Sequence, residues 1–349
     1  MKHVKHFIYG ALMGIGELIP GVGAQTAAII GGFYDEIILF LYNGTELLKN
    51  ILLWIIRRKT FTEVKKSFLA INWVFWIVLT LGSLVTLLLG GRLMHFLLGR
   101  YPLYVFAAAF GIVLACLQIP FQEMKKKGSG EFIIFLTTLI AFLFFFEQQP
   151  GALGGNINIF TMFIAGLVCS LAGFFPGISI SFALLIFGLY DYILSAADKA
   201  LSLQMDATMI INLIAFAVGL NLGLIVTIRT LKFLFEKYQS YLLAFILGLI
   251  AASLRVVWPF MDVNSSPDPE HMVKLTPLGL SYWQSGVIFV IIFTTFMVIS
   301  LLRQYAMKQE DSAKSSFGFG KITEEQKTEK EITAPKKKKK LLKKKKSTN

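Results

Sequence analysis

Apolar residues fall along the chain in two series of blocks, at about 7–19, 22–34, 73–91, 103–119 and 132–147, then at about 160–175, 177–190, 208–228, 241–258 and 284–304. Short clusters of charge, glycine and proline separate them. A helix that is apolar all round belongs in a core or a bilayer, and about 20 such residues cover the roughly 30 Å hydrocarbon layer. The pattern predicts an all-α polytopic membrane protein. In each series the first two blocks are short and meet at a Pro-Gly pair, Pro20-Gly21 and Pro176-Gly177. Thirteen residues rise only about 20 Å, so each pair is expected to turn a re-entrant helical hairpin, followed by three transmembrane helices.

The two series are related. Residues 10–38 and 166–194 agree without gaps at nine positions, including Gly10/Gly166, Pro20/Pro176, Gly21/Gly177, Gly32/Gly188, Tyr34/Tyr190 and Asp35/Asp191. Residues 82–117 match 219–254 through Gly82/Gly219, Arg92/Arg229, Tyr101/Tyr238, Tyr104/Tyr241, Gly111/Gly248 and Leu117/Leu254. This duplication divides the chain into a membrane repeat at 1–150, a second at 151–305, and a tail at 306–349. Three crossings per repeat, an odd number, would insert the second repeat upside down.

Charge tests that topology independently, because cytoplasmic loops collect Lys and Arg. With the N-terminus inside, the inside loops 43–72, 120–131 and 230–240 carry Lys49, Arg57, Arg58, Lys59, Lys65, Lys66, Lys125, Lys126, Lys127, Lys232 and Lys237. The outside loops 92–102, 148–157, 195–207 and 260–283 carry only Arg92, Arg100, Lys199 and Lys274. Both termini are therefore expected in the cytoplasm of a cell whose inner or plasma membrane holds the protein.

Composition agrees: 55% of the residues are apolar and only 16% charged, against about 25% charged in soluble domains. The net charge of +13 would suit nucleic acid, but residues 306–349 hold 14 Lys against 6 Asp/Glu. A tail ending KKKKKLLKKKK is too polar to fold and is drawn to anionic lipid headgroups. No nucleic-acid partner is expected. Cys116 and Cys169 lie singly in apolar runs without metal-ligand spacing, so neither a disulfide framework, a metal nor a cofactor is expected. The start, MKHVKHFIYGALMGIG, has the basic-then-apolar order of a signal peptide. The motif that follows recurs deep in the chain, which argues against its removal.

At the repeated motif the chain resembles a bacterial membrane family associated with polyprenyl phosphate (undecaprenyl phosphate) transport. Met13 to Tyr34 read MGIGELIPGVGAQTAAIIGGFY and Pro176 to Ser181 read PGISIS; the likeness continues through FGIVLACLQIP and LGLIAASLRVVWP. Glu17 stands where that family has Asp, Gly23-Ala24-Gln25 where it has Ser-Gly-Gly, and Ile180 where it has Gly. The resemblance implies a flippase, not an enzyme, that returns undecaprenyl phosphate to the cytoplasmic leaflet for cell-wall polymer synthesis.

A lipid phosphate crossing a bilayer needs a substitute for water around its head. Free amides and the positive helix end at Val22, Gly23 and Gln25, and at Ile178, Ser179 and Ser181, suit an anion, and Thr26, Ser179 and Ser181 add hydroxyls. Arg92 and Arg229 match phosphate in bidentate fashion, or else snorkel to the interface; Arg255 is a weaker third. Glu17, a carboxylate in an apolar hairpin, is a candidate to couple a proton or sodium ion, or a structural lock. Asp35 and Asp191 read as caps. Two rivals keep the same architecture: a membrane undecaprenyl pyrophosphate phosphatase, for which PGISIS lacks the expected arginine, and a carrier of a small anion.

Overall fold

Polar caps open four of the helices. Asn72 accepts from the Phe75 amide at 3.2 Å, Asn158 from Thr161 at 2.9 Å, Ser179 from Phe182 at 3.0 Å and Asp206 from Met209 at 2.7 Å, each satisfying an amide the helix cannot. The computed structural model describes residues 2–309 apart from 20, 21, 59, 147–150, 152–155, 176, 177, 203, 263, 264 and 266–272. Pro20, Gly21, Pro176 and Gly177, and the basic tail from 310 onward, lie outside the described residues.

In chain order the helices are α1 (Lys2–Leu18), α2 (Gly23–Ile30), α3 (Tyr34–Ile55), α4 (Phe61–Leu69), α5 (Trp73–Arg100), α6 (Pro102–Cys116) and α7 (Gln118–Glu123), then α8 (Ser129–Phe146), α9 (Ile159–Ala172), α10 (Ile180–Ile186), α11 (Tyr190–Leu201), α12 (Ala207–Ser253) and α13 (Tyr282–Gln309). Among the described residues, five helices are long and apolar enough to cross a membrane: α5, α6 continued by α7, α8, α12 and α13. Leu88, Leu89, Phe144 and Leu301 on these helices are exposed, as a polytopic membrane protein requires of its lipid-facing surface. The all-α expectation has one small exception, a two-residue antiparallel ladder pairing β1 (Met261–Asp262) with β2 (Val273–Lys274).

Two expected loops are helical. The stretch 43–72 is largely α3 and α4, and 230–240 lies within α12. The Lys232–Glu236 pair at 4.0 Å, one turn apart, supports helix through that charged stretch. At 47 residues α12 would extend about 70 Å if straight. It bends instead at Tyr238, where φ is −133° and ψ 40°. Its sequence counterpart Tyr101, between α5 and α6, has φ −137° and ψ 49°. Pro102 accounts for the first break; the second occurs before Gln239 with no proline.

Close helix approaches fall on the paired glycines. α1 and α5 run side by side, and a methyl on Gly10 would strike the Leu79 carbonyl oxygen, one on Gly82 that of Phe7. α9 and the first part of α12 cross in the same way, with Gly166 against the Phe216 carbonyl and Gly219 against that of Phe163. The contacts advance together along both chains, from Phe7/Gly82 to Leu18/Gly90 and from Phe163/Gly219 to Ser170/Gly223, so each pair is parallel. α2 folds back on α1, its Ala27 packing at Gly16.

The last helices exchange places. α13 packs on α6, with Gly111 at Ile292 and Thr295, Gln118 donating to Ser300 at 2.9 Å and Arg303 to Gln122 at 3.2 Å. α8 packs on the second part of α12, with Gly248 at Phe135 and Thr138 and the Lys126 amide donating to Ser240 at 3.2 Å. The main buried cluster, including Phe33, Ile38, Leu79, Ile119, Ile228, Leu243 and Ile288, draws on both series; a smaller one around Met162, Cys169 and Leu189 lies under α9 and α10.

Candidate functional site: two hairpins that meet

Both short hairpin helices end in the same way. After α2 the Phe33 amide bonds back to Ala28 O at 3.1 Å and Gly32 to Ile29 O at 3.2 Å; after α10, Leu189 bonds to Leu184 O and Gly188 to Leu185 O, both at 2.9 Å. This six-to-one, five-to-two pattern needs a left-handed residue, and Gly32 (φ +71°) and Gly188 (φ +64°) supply it. The repeated Gly-x-Tyr-Asp is therefore a stop signal followed at once by a new helix beginning at Tyr34 or Tyr190.

The start of α2 is occupied by the chain's own carboxylate. Glu17 Oε1 accepts from the Ala24 amide at 3.0 Å, while Val22, at the cap position, is buried and offers no side-chain acceptor. Gly23 has φ +71°, which turns the chain into the helix. An anion at this helix end meets the dipole and a free amide together.

Gln25 and Tyr34 join the first hairpin to the second. Gln25 Nε2 donates to Gly173 O and the Tyr34 hydroxyl to Phe174 O, each at 2.9 Å. These carbonyls belong to the turn that ends α9, just before the second Pro-Gly pair. Thr26, the next residue of α2, is buried. The clasp is one-sided, because Ser181 and Tyr190, the counterparts of Gln25 and Tyr34, are exposed. Ile178 is half-buried, and Ser179 caps α10.

The two arginines stand in different surroundings. Arg92 is exposed on α5, two residues past Gly90, which packs on Leu18 at the end of α1, and makes no ion pair among the described residues. Arg229 lies 3.7 Å from Glu46 of α3, and Lys232 sits over the Tyr42 ring at 5.4 Å. Glu46 is about 18 Å along α3 from Tyr34, so this pair stands at the far side of α3 from the clasp. Arg255 falls in the turn after α12 and Asp191 is exposed; nothing is described of the Asp35 side chain.

Sequence reasoning counted Gln25 for its backbone amide and missed its side-chain bridge. It missed Tyr34, although the repeated tyrosine was a signal, and Glu46, for which one of two acids in a mixed stretch gave none. Among the described residues no group of three or more His, Cys, Asp or Glu could hold a metal ion.

Helices apolar on their outer faces, together with two pairs of short helices, α1–α2 and α9–α10, joined through Gln25 and Tyr34, define a polytopic α-helical membrane protein with the anatomy of a transporter. The chain belongs to the VCA0040-like family, described as undecaprenyl phosphate translocase-like, whose model matches residues 13–274. It is 27% identical over 272 residues to the polyprenyl-phosphate transporter of Vibrio cholerae, covering 76% of this chain and 82% of that one. It is 29% identical over 106 residues to the polyprenyl-phosphate transporter of Staphylococcus aureus, covering 30% and 37%. No solved structure matches. Both named relatives are transporters.

Proposed function

We propose that this protein moves undecaprenyl phosphate between the leaflets of a bacterial inner membrane, returning the carrier for reuse in cell-wall polymer synthesis. The observation that carries the reading is the meeting of the two hairpins: the motifs on which the family likeness rests are bonded to each other through Gln25 and Tyr34. The relatives' names support the polyprenyl phosphate part. In this reading each repeat contributes a re-entrant hairpin and three crossings, with α12 counted twice across Tyr238, the repeats are oppositely inserted, and both termini are cytoplasmic. The parallel run of α1 and α5 supports a first hairpin that returns to its side of entry.

The phosphate would bind at Val22, Gly23, Gln25 and Thr26 of the first hairpin and at Ile178, Ser179 and Ser181 of the second, while the prenyl tail stays in lipid. Glu17 already holds the Ala24 amide, so phosphate and carboxylate compete for one helix end. Protonating Glu17 would remove the negative charge that competes with the phosphate and leave only a weaker neutral acceptor on the Ala24 amide as the lipid head arrives, which links proton entry to loading; a sodium ion paired with the carboxylate could act likewise. Arg92 would guide the head beside the first turn, and Arg229, freed from Glu46, would receive it farther along. The tail would hold anionic lipid.

The test is reconstitution of the purified protein with labelled undecaprenyl phosphate, following leaflet exchange with and without a proton gradient and assaying phosphate release from the pyrophosphate in parallel. Exchange without hydrolysis, slowed by Arg92→Ala and by Arg229→Ala, is expected. Hydrolysis would favour the phosphatase, and no exchange with uptake of a small anion would favour that carrier.

A further inference from the structure

Helix α4 buries none of its residues, although it carries two phenylalanines and a leucine. Phe61, Lys65, Phe68 and Leu69 recur at i, i+4, i+7 and i+8, one face of a helix, and the three apolar members are 61%, 49% and 69% exposed. The preceding end of α3 continues the surface with Trp54, Ile55 and Ile56, all exposed. This face is firmly mounted. Asn50 of α3 donates to Ser67 of α4, and the Trp54 and Phe61 rings lie 5.8 Å apart. The Trp73 indole, at the start of α5, donates to Phe68 O at 3.1 Å.

Charge runs along the same surface. Between Ile56 and Leu69 stand Arg57, Arg58, Lys59, Lys65 and Lys66 against the single acid Glu63. Arg57 occupies a left-handed position, φ +57°, in a helix stop of the six-to-one, five-to-two kind: Arg58 bonds back to Leu53 O and Arg57 to Trp54 O, both at 2.8 Å. Glycine would fit there without strain, and a strained backbone points toward function.

We propose that the elbow formed by the end of α3 and by α4 is a membrane-surface paddle that docks on the anionic phospholipid headgroups of the leaflet on its own side. Phe61, Phe68, Leu69 and Trp54 enter the boundary between headgroups and acyl chains, as the apolar face of an interfacial helix does. Arg57, Arg58 and Lys65 meet the phosphates, the Lys65 stem lying on the apolar face with its ammonium in the headgroup layer. The occupant follows from the surface itself: an apolar stripe that carries exposed Lys65 and continues past exposed Arg57 and Arg58 fits a negatively charged interface. The inference stands apart from the identity of the transported molecule.

The experiment uses the full chain in nanodiscs with a fluorophore on Phe68→Cys, on Leu69→Cys, or on Glu63→Cys across the helix. The native Cys116 and Cys169 are buried and leave the label to the new site. Lipids bearing a nitroxide near the glycerol should quench the label at 68 and 69 strongly and at 63 weakly. Replacing phosphatidylglycerol by phosphatidylcholine should weaken that quenching, and each of Arg57→Glu, Arg58→Glu and Lys65→Glu should lower the docked-to-undocked ratio by more than the roughly fivefold that loss of one cation costs. Equal quenching on both sides of the helix, or quenching at 68 and 69 indifferent to lipid charge and to reversal, would overturn the paddle and leave the face to a protein partner.

Discussion

Three side chains, Glu17, Gln25 and Tyr34, bond within and between the hairpins, and substitution at each tests what its polar group contributes. Glu17→Gln keeps an oxygen for the Ala24 amide but loses the charge, whereas Glu17→Ala loses both. We expect the Ala variant to lose about 1 kcal/mol of stability, as other helix caps do, and the Gln variant to unfold near the wild type. A thermal melt in detergent reads this. In the proposed cycle the Gln variant should also become insensitive to the proton gradient, and gradient-dependent exchange by Glu17→Gln would remove the proton from Glu17. Gln25→Ala and Tyr34→Phe each remove one hydrogen bond between hairpins, about 1 kcal/mol apiece. Because the two bonds end on adjacent carbonyls, Gly173 and Phe174, their losses should be non-additive in a double-mutant cycle; strictly additive losses would mean that the two bonds act independently.

At the scale of elements, the repeated glycines govern how helices meet. Gly82→Ala and Gly219→Ala should each cost about 1–3 kcal/mol through overpacking against a carbonyl that cannot move aside. The two should match within error, and gel filtration after heating checks it. Gly91→Ala, open to space on α5, is the harmless control. Much of this level was legible from the chain. The apolar blocks marked the crossing helices, whereas Gly10/Gly166, Gly82/Gly219 and Gly32/Gly188 were read only as signs of the repeat and prove to be its close approaches and stops, because steric needs recur wherever the local geometry recurs. The charged stretches were harder. Residues 43–72 and 230–240 read as loops because charge and apolar residues mix there, yet an amphipathic helix lying against neighbours needs that mixture. The pairing of Arg229 with Glu46 joins distant residues, and no period in the sequence records it. Gln25 stood where the family resemblance has glycine, so its long side chain read as a departure and its use as a bridge stayed hidden.

For the whole molecule, deleting residues 310–349 should leave leaflet exchange intact while reducing retention on anionic vesicles; loss of exchange would bring the lysines into the mechanism. The exchange of last helices bears on motion. α13 lies on α6 and α8 on the far part of α12, so the two stretches of sequence are linked like hooked fingers. No plane divides them without tearing both contacts. Rocking one sequence half as a block against the other would expose α6 and α8 together, so any block that moves must carry its borrowed helix with it: α13 with α6, and α8 with the far part of α12. A chain nicked between 147 and 158 should accordingly travel as one particle, because the grip between the pieces does not pass through the peptide bond that was cut.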